Sequence, residues 1–131
     1  MDTLGRHLLL ELRGCDGAVL DDQARVERLL RAAAEAAGAT VVQSAFHRFS
    51  PQGVTGVVVL EESHFSVHTW PETGYAAADF FTCGECHPER AVELLSEGLR
   101  AESVEVLSLD RGVARGDHSI VERYHRVERE R

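Results

Sequence analysis

At 131 residues, 44% of them hydrophobic and 27% charged, the chain has the size and balance of one soluble domain with a single core. A net charge of −8 excludes general nucleic-acid binding, which needs a basic face. All 14 basic residues are arginine, so chemistry that requires a lysine is excluded, including pyridoxal phosphate held on a lysine and a Walker phosphate loop.

The charge is uneven. Residues 111–131 carry six Arg against four acids, a net +2, which leaves −10 on residues 1–110. No apolar run reaches the roughly 20 residues of a membrane helix. Met1 to Arg6 has no signal-peptide character, so the expected location is the cytoplasm, with no membrane partner. Three cysteines, Cys15, Cys83 and Cys86, cannot all pair, and reduced thiols suit that compartment.

His7 to Leu12 is a short apolar run suited to a buried strand, closed by Gly14 and Gly17, with Cys15 as a small filler in the turn. Residues 20–37 read as a helix, because Val26, Leu29, Leu30, Ala33 and Ala37 form one stripe on a 3.6-residue period. Asp21 or Asp22 can cap its start, and Gly38 stands where a left-handed stop is expected. Arg25, Arg28, Arg31 and Glu35 fall on the opposite, solvated face. Thr40 to Phe49 and Val54 to Glu61 are β-rich, and the turn Ser50-Pro51-Gln52-Gly53 between them predicts an antiparallel hairpin.

Leu60 to Glu72 concentrates the reactive groups: Ser63, His64, His68, three glutamates and Trp70, the only tryptophan. A strand over His64–Trp70 would put His64, Ser66, His68 and Trp70 on one face, with Phe65, Val67 and Thr69 on the other. Ser63 and His68 would then point to opposite sides, so their encounter requires a break at Glu61–His64. Pro71 ends that strand, since proline cannot donate to a ladder. Tyr75 to Cys83 is a further strand and Cys83 to His87 a loop. Pro88 opens a second helix with Val92, Leu95 and Leu99 as its stripe. Val104 to Leu109 is the last expected strand. Residues 113–131 read as a charged C-terminal tail, in which Ile120, Val121, Tyr124 and Val127 allow at most an amphipathic turn or two. The predicted architecture over residues 1–112 is one α+β domain, a two-layer sandwich with a mostly antiparallel β-sheet and two helices packed on one face.

Three chemistries match parts of this pattern. A hydrolase triad has its Ser, His and acid but lacks the Gly-x-Ser-x-Gly elbow. Cys83-x-x-Cys86-His87 has a metal-ligand spacing that His64 and His68 could complete. No second Cys-x-x-Cys accompanies it, however, and no metal is expected. The third chemistry needs no lysine. A serine hydroxyl can attack the carbonyl of its preceding peptide bond, exchanging amide for ester. β-Elimination then cuts the chain and converts the serine into a pyruvoyl group, a ketone that captures a substrate amine as a Schiff base and acts as electron sink when CO₂ departs. Ser63, His68 and Cys83 can supply the serine, the base and a proton donor.

Glu62-Ser63-His64-Phe65-Ser66-Val67-His68-Thr69-Trp70-Pro71-Glu72, with Gly74-Tyr75-Ala76-Ala77 and Phe81-Thr82-Cys83-Gly84, closely resembles the prokaryotic S-adenosylmethionine decarboxylase proenzymes. The likeness extends to Leu4-Gly5-Arg6-His7, Gly38-Ala39-Thr40, Phe46-His47-Arg48-Phe49 and Gly53-Val54-Thr55-Gly56-Val57-Val58-Val59, and covers roughly residues 3–112. This resemblance implies autocatalytic cleavage between Glu62 and Ser63, with Ser63 becoming the pyruvoyl cofactor. It implies that His68, assisted by Thr55, acts in processing and that Cys83 is the catalytic acid. Phe49 and Trp70 would face the adenine and sulfonium of S-adenosylmethionine, and Glu72 would accept from its ribose hydroxyls. The product would be decarboxylated S-adenosylmethionine, the aminopropyl donor of spermidine biosynthesis. The assembly would be a homodimer of processed two-chain protomers with active sites at the interface. Two other readings stay open here: a pyruvoyl-dependent decarboxylase of a basic amino acid such as ornithine or arginine, and a non-catalytic ligand- or metal-binding module using Cys83, Cys86 and His87.

Overall fold

The structure, a computed structural model, describes residues 5–61, 63–83, 85–115 and 118–128. Among them are seven strands: β1 (Gly5–Arg13), β2 (Val41–Arg48), β3 (Val54–Leu60), β4 (Ser63–Trp70), β5 (Tyr75–Cys83), β6 (Ser103–Arg115) and β7 (His118–Glu128). They form one antiparallel sheet in the order β2-β3-β4-β5-β1-β6-β7. Three helices, α1 (Gly17–Leu20), α2 (Gln23–Ala36) and α3 (Pro88–Gly98), cover one face. This is the expected α+β sandwich with two additions, α1 and β7. The single turn α1 is too short to leave a periodic signature, and Asp16 caps it by accepting from the Ala18 N–H at 3.0 Å.

The two layers follow from alternation. Leu8, Leu10 and Leu12 of β1 are buried under the helices with Phe65 and Val67 of β4 and Ala78 and Phe80 of β5, while intervening residues face away. Phe65 and Phe80 meet edge to face at 4.6 Å in the middle of this core. From the helix side, Val26, Leu30 and Ala33 of α2 and Ala91 and Leu95 of α3 complete it. The two long helices approach closely at Gly98, where a Cβ would lie 2.4 Å from Leu29 Cδ2. On the sheet, Phe46 lies over Gly56, where a Cβ would meet its ring at 2.0 Å.

Two boundaries differ from expectation for identifiable reasons. The main helix starts at Gln23 because Asp22 is its cap, accepting from the Arg25 N–H at 3.1 Å. Asp21 is engaged elsewhere: it accepts from Arg48 at 2.7 Å and from the Gly53 N–H at 2.9 Å, tying α1 to the β2–β3 turn. Those bonds, the Arg48 one foremost, hold its carboxyl below the usual range. The larger difference is at the C-terminus. The last expected strand extends to Arg115, and residues 118–128, read from composition as a charged tail, form β7 paired to it from Ser103↔Glu128 to Arg111↔Ile120. Charged residues are tolerated, and favoured, on an edge strand whose ladder is made by backbone. Here the composition marks an edge and not a tail. No described helix is long and apolar enough to cross a membrane.

Candidate active site

Ser63 opens β4, two residues on from the turn residue Glu61; Glu62 lies outside the described residues. Ser63 pairs with Leu60 of β3, and the ladder to β5 starts one residue later at His64↔Phe81. Its hydroxyl oxygen is buried and has no hydrogen-bond partner among the described residues. A buried hydroxyl without a partner is an exception in folded proteins and calls for a functional explanation. Cys83 ends β5, opposite Gly5. Extending the β4–β5 register one residue beyond His64↔Phe81 sets Ser63 opposite Thr82, about one strand spacing (~4.8 Å) away, with Cys83 next along β5 and facing the other side of the sheet.

A second group lies towards the other end of β4, on the uncovered face. Thr55 Oγ1 and His68 Nδ1 are 2.9 Å apart across the β3–β4 pair, beside a shallow hollow of ≈310 Å³ that Ala45, His47 and Ser66 help to line. Phe49 is 47% exposed, edge-on to His47 at 4.7 Å. Trp70 is 42% exposed and stacked on Tyr75 at 5.2 Å, and the Arg13 guanidinium sits over the Tyr75 ring at 5.0 Å. The Tyr75 hydroxyl donates to Glu11; burial, then that carboxylate, pushes its pKa up to about 12. Glu72 is exposed in the turn that follows Trp70.

The two groups do not meet within one chain. β4 is unbroken from Ser63 to Trp70, so the turn falls before Ser63 and not between it and His68. Five residues of strand separate them by about 16 Å, and they point to opposite faces. Phe49, Trp70 and Glu72 stand at the far end with His68. The structure therefore puts Ser63 and Cys83 at one end of the sheet, on opposite faces, and bonds Thr55 to His68 towards the other end, on the uncovered face that Cys83 shares.

A third cluster has no signature in the sequence. Asp79 of β5 accepts from Ser66 through Oδ1, and through Oδ2 from His7 Nε2 at 2.6 Å and His64 Nε2 at 2.8 Å. Burial alone would raise its carboxyl, but the bonds from Ser66, His7 and His64 outweigh burial and hold it below the usual range. His7, His64 and Asp79 are also the one set of three metal-ligating side chains that converges among the described residues. Cys83, Cys86 and His87 form no such set, and the His87 ring turns towards Glu89 at 3.8 Å. The Cys86 thiol is raised by burial, then by Cys83. Alternation could have put His7, His64 and Asp79 on one face; only the strand order β4-β5-β1 makes them neighbours.

Comparison with known proteins places the chain in a family. Residues 6–112 match the family model for S-adenosylmethionine decarboxylase. The S-adenosylmethionine decarboxylase proenzyme of Methanococcus maripaludis is 52% identical over 114 residues, 86% of this chain and 93% of that protein. Its counterpart from Acetivibrio thermocellus is 50% identical, with 86% and 92% covered. The crystal structure of the adenosylmethionine decarboxylase of Aquifex aeolicus superposes with a TM-score of 0.80 at 34% identity, over 90% of this chain and 98% of that one. A Trypanosoma brucei structure, at TM-score 0.61 and 14% identity, shares the fold. Fold and relatives together define an enzyme, a carboxy-lyase built on a single two-layer domain. The chain belongs to the S-adenosylmethionine decarboxylase family.

Proposed function

We propose that the chain is a proenzyme that cleaves itself between Glu62 and Ser63, then decarboxylates S-adenosylmethionine through a pyruvoyl group formed from Ser63. The observation that carries this reading is Ser63 itself: first residue of a strand, its buried oxygen without a partner among the described residues, with Cys83 at the same end of the sheet. Among the described residues such a hydroxyl has no hydrogen bond to lose when it adds to the Glu62 carbonyl carbon and the amide becomes an ester. Removal of the Ser63 α-proton then expels the Glu62 carboxylate, and hydrolysis of the resulting dehydroalanine releases ammonia and leaves the ketone.

The pyruvoyl group supplies an electron-withdrawing carbonyl that takes up the electron pair released with CO₂. Cys83 stands at the same end of the sheet and delivers the proton that replaces the carboxylate. Phe49 and Trp70 offer exposed aromatic faces to the adenine and the sulfonium, and Glu72 accepts from the ribose hydroxyls. His68, bonded to Thr55, takes the α-proton during processing.

Because His68 lies about 16 Å along the strand from Ser63, the reading includes a homodimer in which the partner subunit's His68 serves the first protomer's Ser63. The uncovered sheet face supports this. Leu9 is 38% exposed there, with Val57 and Leu107 half-buried on the same face, an apolar surface suited to a second copy. The product serves as aminopropyl donor for spermidine biosynthesis, in the cytoplasm, where all three cysteines stay thiols. A denaturing intact mass tests the first step: two fragments split between residues 62 and 63 support it, and a chain still whole after long incubation sinks it. CO₂ release from S-adenosylmethionine, ornithine and arginine, measured side by side, tests the substrate. Sedimentation tests the dimer.

A further inference from the structure

Asp79 sits in β5, between β4 and β1, and its carboxylate ties both neighbours together through Ser66, His64 and His7. Its side chain is only 23% exposed, so water competes weakly for these bonds. Arg111 of β6 extends the set by donating to His7 Nδ1 at 3.2 Å. Arginine has no acceptor, so Nδ1 must hold the lone pair and Nε2 the proton. The His7 nitrogen that faces Asp79 is therefore a donor with no lone pair for a metal ion, and a guanidinium cation stands next to the ring. With these bonds the cluster acts as a hydrogen-bonded clamp across β4, β5 and β1.

The position of His64 gives the clamp a purpose. The backbone nitrogen of His64 carries the acyl group of Ser63. Among the described pairings, the ladder to β5 begins at His64, and Ser63 pairs with Leu60 of β3. Once the bond between residues 62 and 63 is cut, the tether on that side is gone. The reactive end is then held by whatever holds His64.

We propose that Asp79 is a positioning residue: by gripping His64, it fixes the Ser63-derived end of β4 against Cys83 after self-cleavage. This inference rests on the pyruvoyl reading of Ser63. Asp79→Asn keeps the volume but removes the charge and one acceptor oxygen. The variant should still self-cleave, as read by intact mass. Hydrogen exchange across residues 63–66 of the cleaved protein should quicken. kcat should fall by about tenfold to a hundredfold with KM nearly unchanged, the expected cost of a misplaced reacting group. His64→Asn, which withdraws that side chain from Asp79, should cost the same, and the double variant no more than either single one. Multiplicative losses, unchanged exchange at 63–66, or an Asp79→Asn chain that stays uncleaved at wild-type melting temperature would each overturn the proposal. Should Asp79→Asn not fold, His64→Asn leaves the bonds to Ser66 and His7 intact and carries the same test, with wild-type exchange and kcat as the contrary result. A wild-type chain that never cleaves would sink the pyruvoyl reading itself, and its mass is measured before any variant is made.

Discussion

Ser63 and His68 stand five residues apart on one unbroken strand and on opposite faces of the sheet. The serine proposed to attack and the histidine proposed to take its α-proton therefore cannot meet in one chain. In the proposed homodimer the histidine comes from the partner subunit. Neither Ser63→Ala nor His68→Ala should cleave when expressed alone. Co-expressed, His68→Ala chains should be cut, because in mixed dimers the Ser63→Ala partner supplies the histidine. With random pairing about half of the His68→Ala chains lie in such dimers, which sets the upper bound on their cleavage. A denaturing mass spectrum of the mixture reads this directly. Complete absence of cut chains would confine processing to a single chain.

Cys83 and Cys86 are close in sequence but differ in station. Cys83 ends the strand that runs beside Ser63, whereas Cys86 lies in the loop before α3, its thiol held protonated by burial. Cys83→Ala should cleave normally and then decarboxylate about 10²–10⁴ times more slowly, the usual loss for a general acid. Cys86→Ala should remain within a few-fold of wild type. Comparing fragment yield with CO₂ release separates the steps, and an equal loss in both variants would remove Cys83 from its proposed role.

Much of this arrangement is legible in the sequence, and what is not has physical causes. The Leu8-Leu10-Leu12 alternation and the Val26 to Ala37 stripe specify a covered strand and a covering helix because each buries one face. β7 is not legible: Ile120, Tyr124 and Val127 fall at i, i+4 and i+7, a helical and not a strand spacing, and what holds the strand is a backbone ladder to β6, with the Tyr124 hydroxyl donating to Glu105 at 2.9 Å. Ser63, His68 and Cys83 are identifiable as residues, but their separation is not. That depends on where β4 begins, which the structure puts at Ser63. The Asp79 clamp needs strand order and register together, which no local pattern encodes.

Trp70 and Phe49 expose large aromatic surface at the same end of the sheet, and Trp70 is already held flat by its stack on Tyr75. Removing one cation–π or stacking interaction costs on the order of 1 kcal/mol, or about fivefold in binding. Trp70→Ala and Phe49→Ala should each raise KM for S-adenosylmethionine by about that factor or somewhat more, with a smaller change in kcat and normal self-cleavage. Steady-state kinetics of the cleaved variants decide it. A loss confined to kcat would move these residues from the adenine and sulfonium to the reacting centre.

Tyr75 couples this platform to pH. Its pKa is raised from 10.0 to about 12, by burial and by the carboxylate of Glu11 that its hydroxyl bonds. Below pH 10 both folded and unfolded chains keep the proton, and the group adds no pH dependence. Between pH 10 and about 12 the unfolded chain releases the proton and the folded one retains it, so stability from this group falls as pH rises through that window. Tyr75→Phe keeps a ring against Trp70 but has nothing to titrate. The wild-type melting temperature should therefore fall more steeply than that of Tyr75→Phe across this window. The tyrosinate absorbance that the variant lacks should appear near pH 12 and not near pH 10. Parallel melting curves would mean that Glu11 does not hold the phenol, leaving ring stacking alone to fix the face that Trp70 presents.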